Sequence, residues 1–123
     1  MHNNRIRVVI AAGAITAALA GSATATAPPV GPLPAGPQSH IQTNRGELVA
    51  FALPHRPGGR VWRIARPVNA AILRQVSEAD VGSQVVLVFR AFGLGTASVA
   101  FGLTRGERPK AYESRRYTVT VRA

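Results

Sequence analysis

The chain has 123 residues, 15 of them Lys or Arg against five Asp or Glu, for a formal net charge of +10, and it contains no cysteine. That length allows one domain behind a leader, and the missing thiols exclude a disulfide staple, a lipid-modified cysteine and any cysteine nucleophile or metal ligand. The basic balance selects anionic partners, but no run of four basic residues occurs and the few aromatics do not interleave with arginines, which argues against nucleic acid.

Arg5 and Arg7 precede an apolar run over residues 8–20, and the small-residue pattern "ATA" follows at 23–25. This is the layout of a signal peptide over residues 1–25, cleaved after Ala25. A cut after Ala27 fits the same pattern but would leave Pro28 at the new terminus. An apolar run of thirteen residues is too short to span a bilayer as a helix, so no stable membrane insertion is expected after cleavage and the product is expected to be secreted or periplasmic. Loss of the two leader arginines leaves 13 basic and five acidic residues on the mature chain, a charge of +8.

Residues 28–37, "PPVGPLPAGP", hold five of the nine prolines. They predict an extended, polyproline-like spacer over residues 26–38 with nothing to pack, and a folded domain over 39–123. Within that domain the apolar period is closer to two than to 3.6. A short first strand is expected near Ile41. Residues 47–53 are apolar on both faces, as a central or covered strand would be. Residues 61–65 carry Trp62 and Ile64 on one side and Arg63 on the other, which suits a core role for the tryptophan.

The stretch "NAAILRQVSEAD", residues 69–80, is ambiguous. Ile72, Leu73, Val76 and Ala79 have helical spacing behind Asn69 as a possible N-cap, yet a strand over 71–76 fits the neighbouring pattern; the strand is preferred and a short helix is the alternative. Residues 84–89 again read as a strand apolar on both faces. Residues 96–104 alternate, with Ala97, Val99, Phe101 and Leu103 inward and Ser98, Ala100 and Gly102 towards water. Tyr117, Val119 and Val121 do the same. About seven strands separated by Gly- and Pro-containing turns give an all-β, antiparallel sandwich.

Catalytic chemistry is thinly supplied. The mature chain has five carboxylates (Glu47, Glu78, Asp80, Glu107, Glu113) and two histidines (His40, His55), with no serine in a G-x-S-x-G setting. No ligand spacing for zinc or calcium is present. The expectation is a non-enzyme without cofactor or metal.

Gly59-Arg60-Val61-Trp62 keeps a G-x-x-W spacing after the second strand. Ala91-Phe92-Gly93-Leu94-Gly95-Thr96 forms an A-x-x-x-G-T turn ahead of alternating residues, and the last strand reads "YTVTV". In these three places the chain resembles the chagasin-type inhibitors of papain-like cysteine proteases. The resemblance implies an immunoglobulin-like β-sandwich, monomeric, whose three loops at one end enter a protease cleft. Carried over residue by residue, the first loop is His55, Arg56, Pro57, Gly58 and Gly59; the second is reduced to the turn at Gly82 and Ser83; the third is Arg105, Gly106, Glu107, Arg108 and Pro109. Only Gly59 keeps the family's N-P-T-T-G letters, and Lys110 stands where its R-P-W loop has the aromatic. Two readings follow: an inhibitor of a papain-like cysteine protease, or a non-inhibitory secreted binding module whose arginine-rich face holds an anionic envelope or protein partner.

Overall fold

The computed structural model describes residues 28–123; the expected signal peptide over 1–25 lies outside the described residues. Seven strands follow one another: β1 (Gln38–Asn44), β2 (Leu48–Pro54), β3 (Arg60–Ile64), β4 (Leu73–Val81), β5 (Gln84–Ala91), β6 (Gly95–Arg105) and β7 (Ala111–Arg122). They form a four-stranded sheet in the order β1-β7-β6-β3 and a three-stranded sheet in the order β2-β5-β4. The architecture is an all-β sandwich.

Alternation builds the core between the sheets. Val49, Phe51 and Leu53 from β2 and Leu87, Phe89 and Ala91 from β5 meet Ala97, Val99 and Phe101 from β6 and Val119 and Val121 from β7, all buried. Phe51 is the hub: its ring lies 5.5 Å from Phe89, 5.4 Å from Phe101 and 4.6 Å from Tyr117, in edge or tilted arrangements that suit the aromatic quadrupole. Trp62 and Ile64 of β3 pack against the same cluster.

Four expectations need correction. The sandwich is not wholly antiparallel, because β1 runs parallel to β7, from Gln38 opposite Arg116 to Asn44 opposite Arg122. β2 is an edge strand, paired on one side only, and its outward Ala50 and Ala52 are exposed; they are small residues on an open face and do not mark a covered strand. Residues 69–80 contain both signals in sequence. Asn69 Oδ1 accepts the Ala71 amide, and its carbonyl accepts those of Ile72 and Leu73, giving one helix-like turn before β4 starts at Leu73. A bulge between Gln75 and Ser77 then shifts the register against β5 and breaks strict alternation.

Residues 28–37, expected as a spacer with nothing to pack, form neither helix nor strand but do pack against the four-stranded sheet. Val30 is buried, and with Leu33 it covers Ala65, Ala100 and Ala111 on the outer face of the four-stranded sheet. Gly102, expected towards water, lies beneath them: a Cβ there would press on Val30 and Leu33. The Gly31 amide donates to Pro109 O at 2.7 Å, the Arg116 amide to Pro37 O at 3.0 Å, and Ser114 Oγ to Pro34 O at 2.7 Å. Arg63 adds bonds to Pro28 O and Arg108 O, and Arg66 to Val30 O and Gly31 O. Prolines lack an amide, so this strap is fastened mainly through its carbonyls, which a proline-rich chain keeps.

Candidate functional site

The β2–β3 loop, the β4–β5 turn and the β6–β7 loop come together at one end of the sandwich. The His55 amide donates to Ser83 O at 2.9 Å, and the Gly106 amide to Gly59 O at 3.3 Å, so the first loop is joined to each of the other two. Gly58 and Gly59 have φ of 83° and 71°, left-handed values that glycine adopts without steric cost. Gly82, at φ 61°, opens a two-residue turn before Ser83, the glycine position of a type II′ hairpin. In the third loop Arg105 ends β6, Gly106 has φ 60°, and the Arg108 amide returns to Arg105 O at 3.2 Å. Glu107, Arg108, Pro109 and Lys110 are exposed, as are His55, Pro57, Gly82 and Ser83. Pro109 is held from behind through its carbonyl by Gly31 of the strap.

Side chains brace the loops from within. Arg56 makes a forked pair with Glu113 of β7 (Nε to Oε2 2.8 Å, Nη2 to Oε1 3.1 Å). The hydrogen bond from Arg56 holds the Glu113 carboxyl below the usual carboxylate range; the charges of Arg56, Arg115 and Arg60 act the same way, and partial burial opposes them. His55 Nε2 lies 3.2 Å from Asp80 Oδ1, joining the first loop to the end of β4. Trp62 Nε1 donates to Pro54 O at 2.8 Å and fixes the strand ends on either side of the first loop. Thr104, fully buried, donates through Oγ1 to Gly106 O at 2.7 Å and accepts from Arg63 Nε at 3.1 Å, so the third loop is seated from below.

A cleft of about 280 Å³ opens among these groups, lined by His55, Arg56, Arg60, Trp62, Glu78 and Asp80. Its walls mix cations and carboxylates, and no side chain in it stands as a nucleophile beside a base. Among the described residues no group of three His, Asp or Glu side chains could hold a metal ion. What the end of the sandwich offers is a surface: three short, mutually bonded loops with exposed tips.

Sequence reasoning missed the floor of this surface. Tyr112 is the extra residue of a bulge where Thr104 pairs with Ala111 while Leu103 pairs with Glu113. Its ring lies under two cations, the Arg60 guanidinium at 4.1 Å and the Lys110 ammonium at 5.1 Å, and Arg60 Nε is buried there without a hydrogen-bond partner. Nothing in the pattern "KAYES" distinguishes a bulged tyrosine from an alternating one.

No protein-family model and no curated protein matches the sequence. Solved structures do match in fold. The cysteine protease inhibitor EhICP2 from Entamoeba histolytica superposes with a TM-score of 0.52 at 15% identity, over 72% of this chain and 99% of that one. PbICP-C, solved in complex with falcipain-2, superposes with a TM-score of 0.56 at 13% identity, over 76% of this chain and 96% of that one. The fold expected from the G-x-x-W, glycine-turn and "YTVTV" features is therefore the fold present.

Proposed function

We propose that this chain is a proteinase inhibitor-like protein that reversibly occludes the cleft of a papain-like cysteine protease with the three bonded loops. The reading starts from the fold shared with two proteins, one named as a cysteine protease inhibitor and the other solved on falcipain-2. The observation that carries it is the convergence of the loops: His55 N on Ser83 O and Gly106 N on Gly59 O make one continuous edge out of residues distant in sequence. An edge held in shape before binding loses little conformational freedom on entering a cleft, so more of its contact energy appears as affinity.

The chemistry of the edge differs from an aromatic wedge. Arg105, Arg108 and Lys110 surround a single carboxylate, Glu107, in the third loop, and all four are exposed. Contact energy in such a loop comes from arginine, one of the side chains that most often carry interface hot spots, and favours a target cleft with an acidic rim. The protein acts as a monomer outside the cytosol, delivered there by the leader at 1–25.

The test is inhibition of a panel of papain-like cysteine proteases by the chain from Thr26 onward, with folding confirmed by its thermal transition. Reversible inhibition that is lost when residues 55–60 are replaced by a Gly/Ser loop supports the reading. Folded protein without inhibition at micromolar concentration overturns it.

A further inference from the structure

The opposite end of the sandwich carries a second surface, built from three turns. The Gly46 amide donates to Ala91 O at 2.8 Å and the Ala91 amide to Glu47 O at 2.9 Å, which fastens the β1–β2 turn to the end of β5. The Phe92 amide donates to Ile72 O at 2.8 Å, which adds the turn before β4. The β5–β6 turn, Phe92-Gly93-Leu94, stands at their centre, with Phe92 41% and Leu94 51% exposed. Two large apolar residues left exposed on one short turn mark a contact surface more strongly than the same residues scattered singly.

Their setting is cationic. Arg74 lies opposite Arg90 across β4 and β5, and its guanidinium sits 4.4 Å from the centre of the Phe92 ring. The Arg45 amide donates to Arg122 O, and Gly95 pairs with Val121, so Arg122 comes beside Leu94. Four arginines thus ring the turn. The one carboxylate nearby, Glu47, is already engaged by Thr43 Oγ1 and the Asn44 amide, both at 3.0 Å. The ion pairs found among the described residues, His55 with Asp80 and Arg56 with Glu113, both lie at the loop end. Glu78 and Glu107 belong to that end as well, on the last part of β4 and in the β6–β7 loop. Cations are spread over the whole chain, and carboxylates have been concentrated at one end.

We propose that this arginine-ringed pole docks on an anionic lipid bilayer, with Phe92 and Leu94 entering the headgroup boundary and Arg45, Arg74, Arg90 and Arg122 at the level of the phosphates. The layering favours a bilayer over an acidic protein: an apolar tip inside a ring of cations matches a surface that is apolar within and anionic outside. Arg74 illustrates the fit, since its guanidinium lies over the Phe92 ring and so holds a cation directly against the apolar tip. Docked this way, the three loops face away from the membrane and remain free.

The experiment is co-sedimentation of the chain from Thr26 onward, which holds every contact of the described fold and lacks the apolar leader, with vesicles of phosphatidylcholine alone or mixed equally with phosphatidylglycerol. Binding is expected to the mixed vesicles alone. It should weaken about fivefold for each arginine removed in an Arg74→Gln, Arg90→Gln double variant, and about tenfold on replacing Phe92 and Leu94 together by Ser. Trp62, at the far end, should keep its emission maximum on binding. Failure of the folded chain to bind at low salt overturns the proposal, as does binding that survives all four substitutions or that shifts Trp62 emission. Equal binding to soluble polyglutamate, indifferent to the Phe92 and Leu94 changes, would make the partner a polyanion and overturn the lipid assignment. None of these readouts depends on protease inhibition.

Discussion

Arg56 and Glu113, 57 positions apart, close on each other as a forked ion pair that ties the β2–β3 loop to β7. The sign of its pH dependence follows from the depressed Glu113 carboxyl. A carboxyl whose pKa is lower folded than unfolded adds stability above its ordinary value, near 4.5, and loses it as pH falls through the lowered one. Glu47, lowered first by the Asn44 amide and then by Thr43, acts in the same direction. The thermal midpoint should therefore drop as pH falls below about 4.5, and Glu113→Gln should melt lower than wild type at neutral pH while losing less on acidification. Parallel acid profiles for the two proteins would contradict this role.

Gly36 sits against β7 so closely that a Cβ would overlap the Ser114 carbonyl and meet Ser114 Oγ at 2.7 Å. Gly36→Ala should lift the strap and destabilise the fold by about 1–3 kcal/mol, as overpacking does. Chemical denaturation reads it. An unchanged denaturation midpoint would mean that the strap is not held where Pro34 O and Pro37 O make their bonds.

Phe51 touches three other aromatic rings at the centre of the core. Phe51→Ala should cost about 3–5 kcal/mol, a large part of the stability of a domain this small. Urea unfolding monitored by Trp62 fluorescence measures it. A loss below about 1 kcal/mol would show that the core does not converge on this ring.

Gly59 joins two demands, a φ of 71° and a carbonyl that receives the Gly106 amide. Gly59→Ala should cost about 1 kcal/mol in stability, because a Cβ is strained at that φ. On the inhibitor reading it should also weaken inhibition about tenfold, since loops that no longer meet must be ordered on binding. Lowered stability with full inhibition would separate loop geometry from function.

Local alternation made β6 and β7 legible in the amino-acid order, since Val99, Phe101, Val119 and Val121 each take the face their parity assigns. The G-x-x-W spacing located the loop between β2 and β3 for a similar reason: glycines that turn the chain and a tryptophan that re-enters the core are local requirements. Contacts made at a distance left no such trace. Val30 reads as one apolar residue among prolines until Gly102 and Ala111 supply the hollow that buries it. The parallel placement of β1 is equally invisible, because pairing direction depends on where the chain crosses over and not on which residues alternate. The forked pair of Arg56 with Glu113 and the stacking of Arg60 on Tyr112 belong to that same class.

The parallel pairing of β1 with β7 also governs how the protein answers mechanical force. The seven register pairs run from Gln38 opposite Arg116 to Asn44 opposite Arg122, so a pull applied between the start of β1 and the end of β7 is directed along both strands in opposite senses. Such a load shears the ladder, and its hydrogen bonds must give way together; an antiparallel pair pulled from its open end would unzip one bond at a time. The seven-pair ladder is therefore where the sandwich resists stretching between those two strand ends.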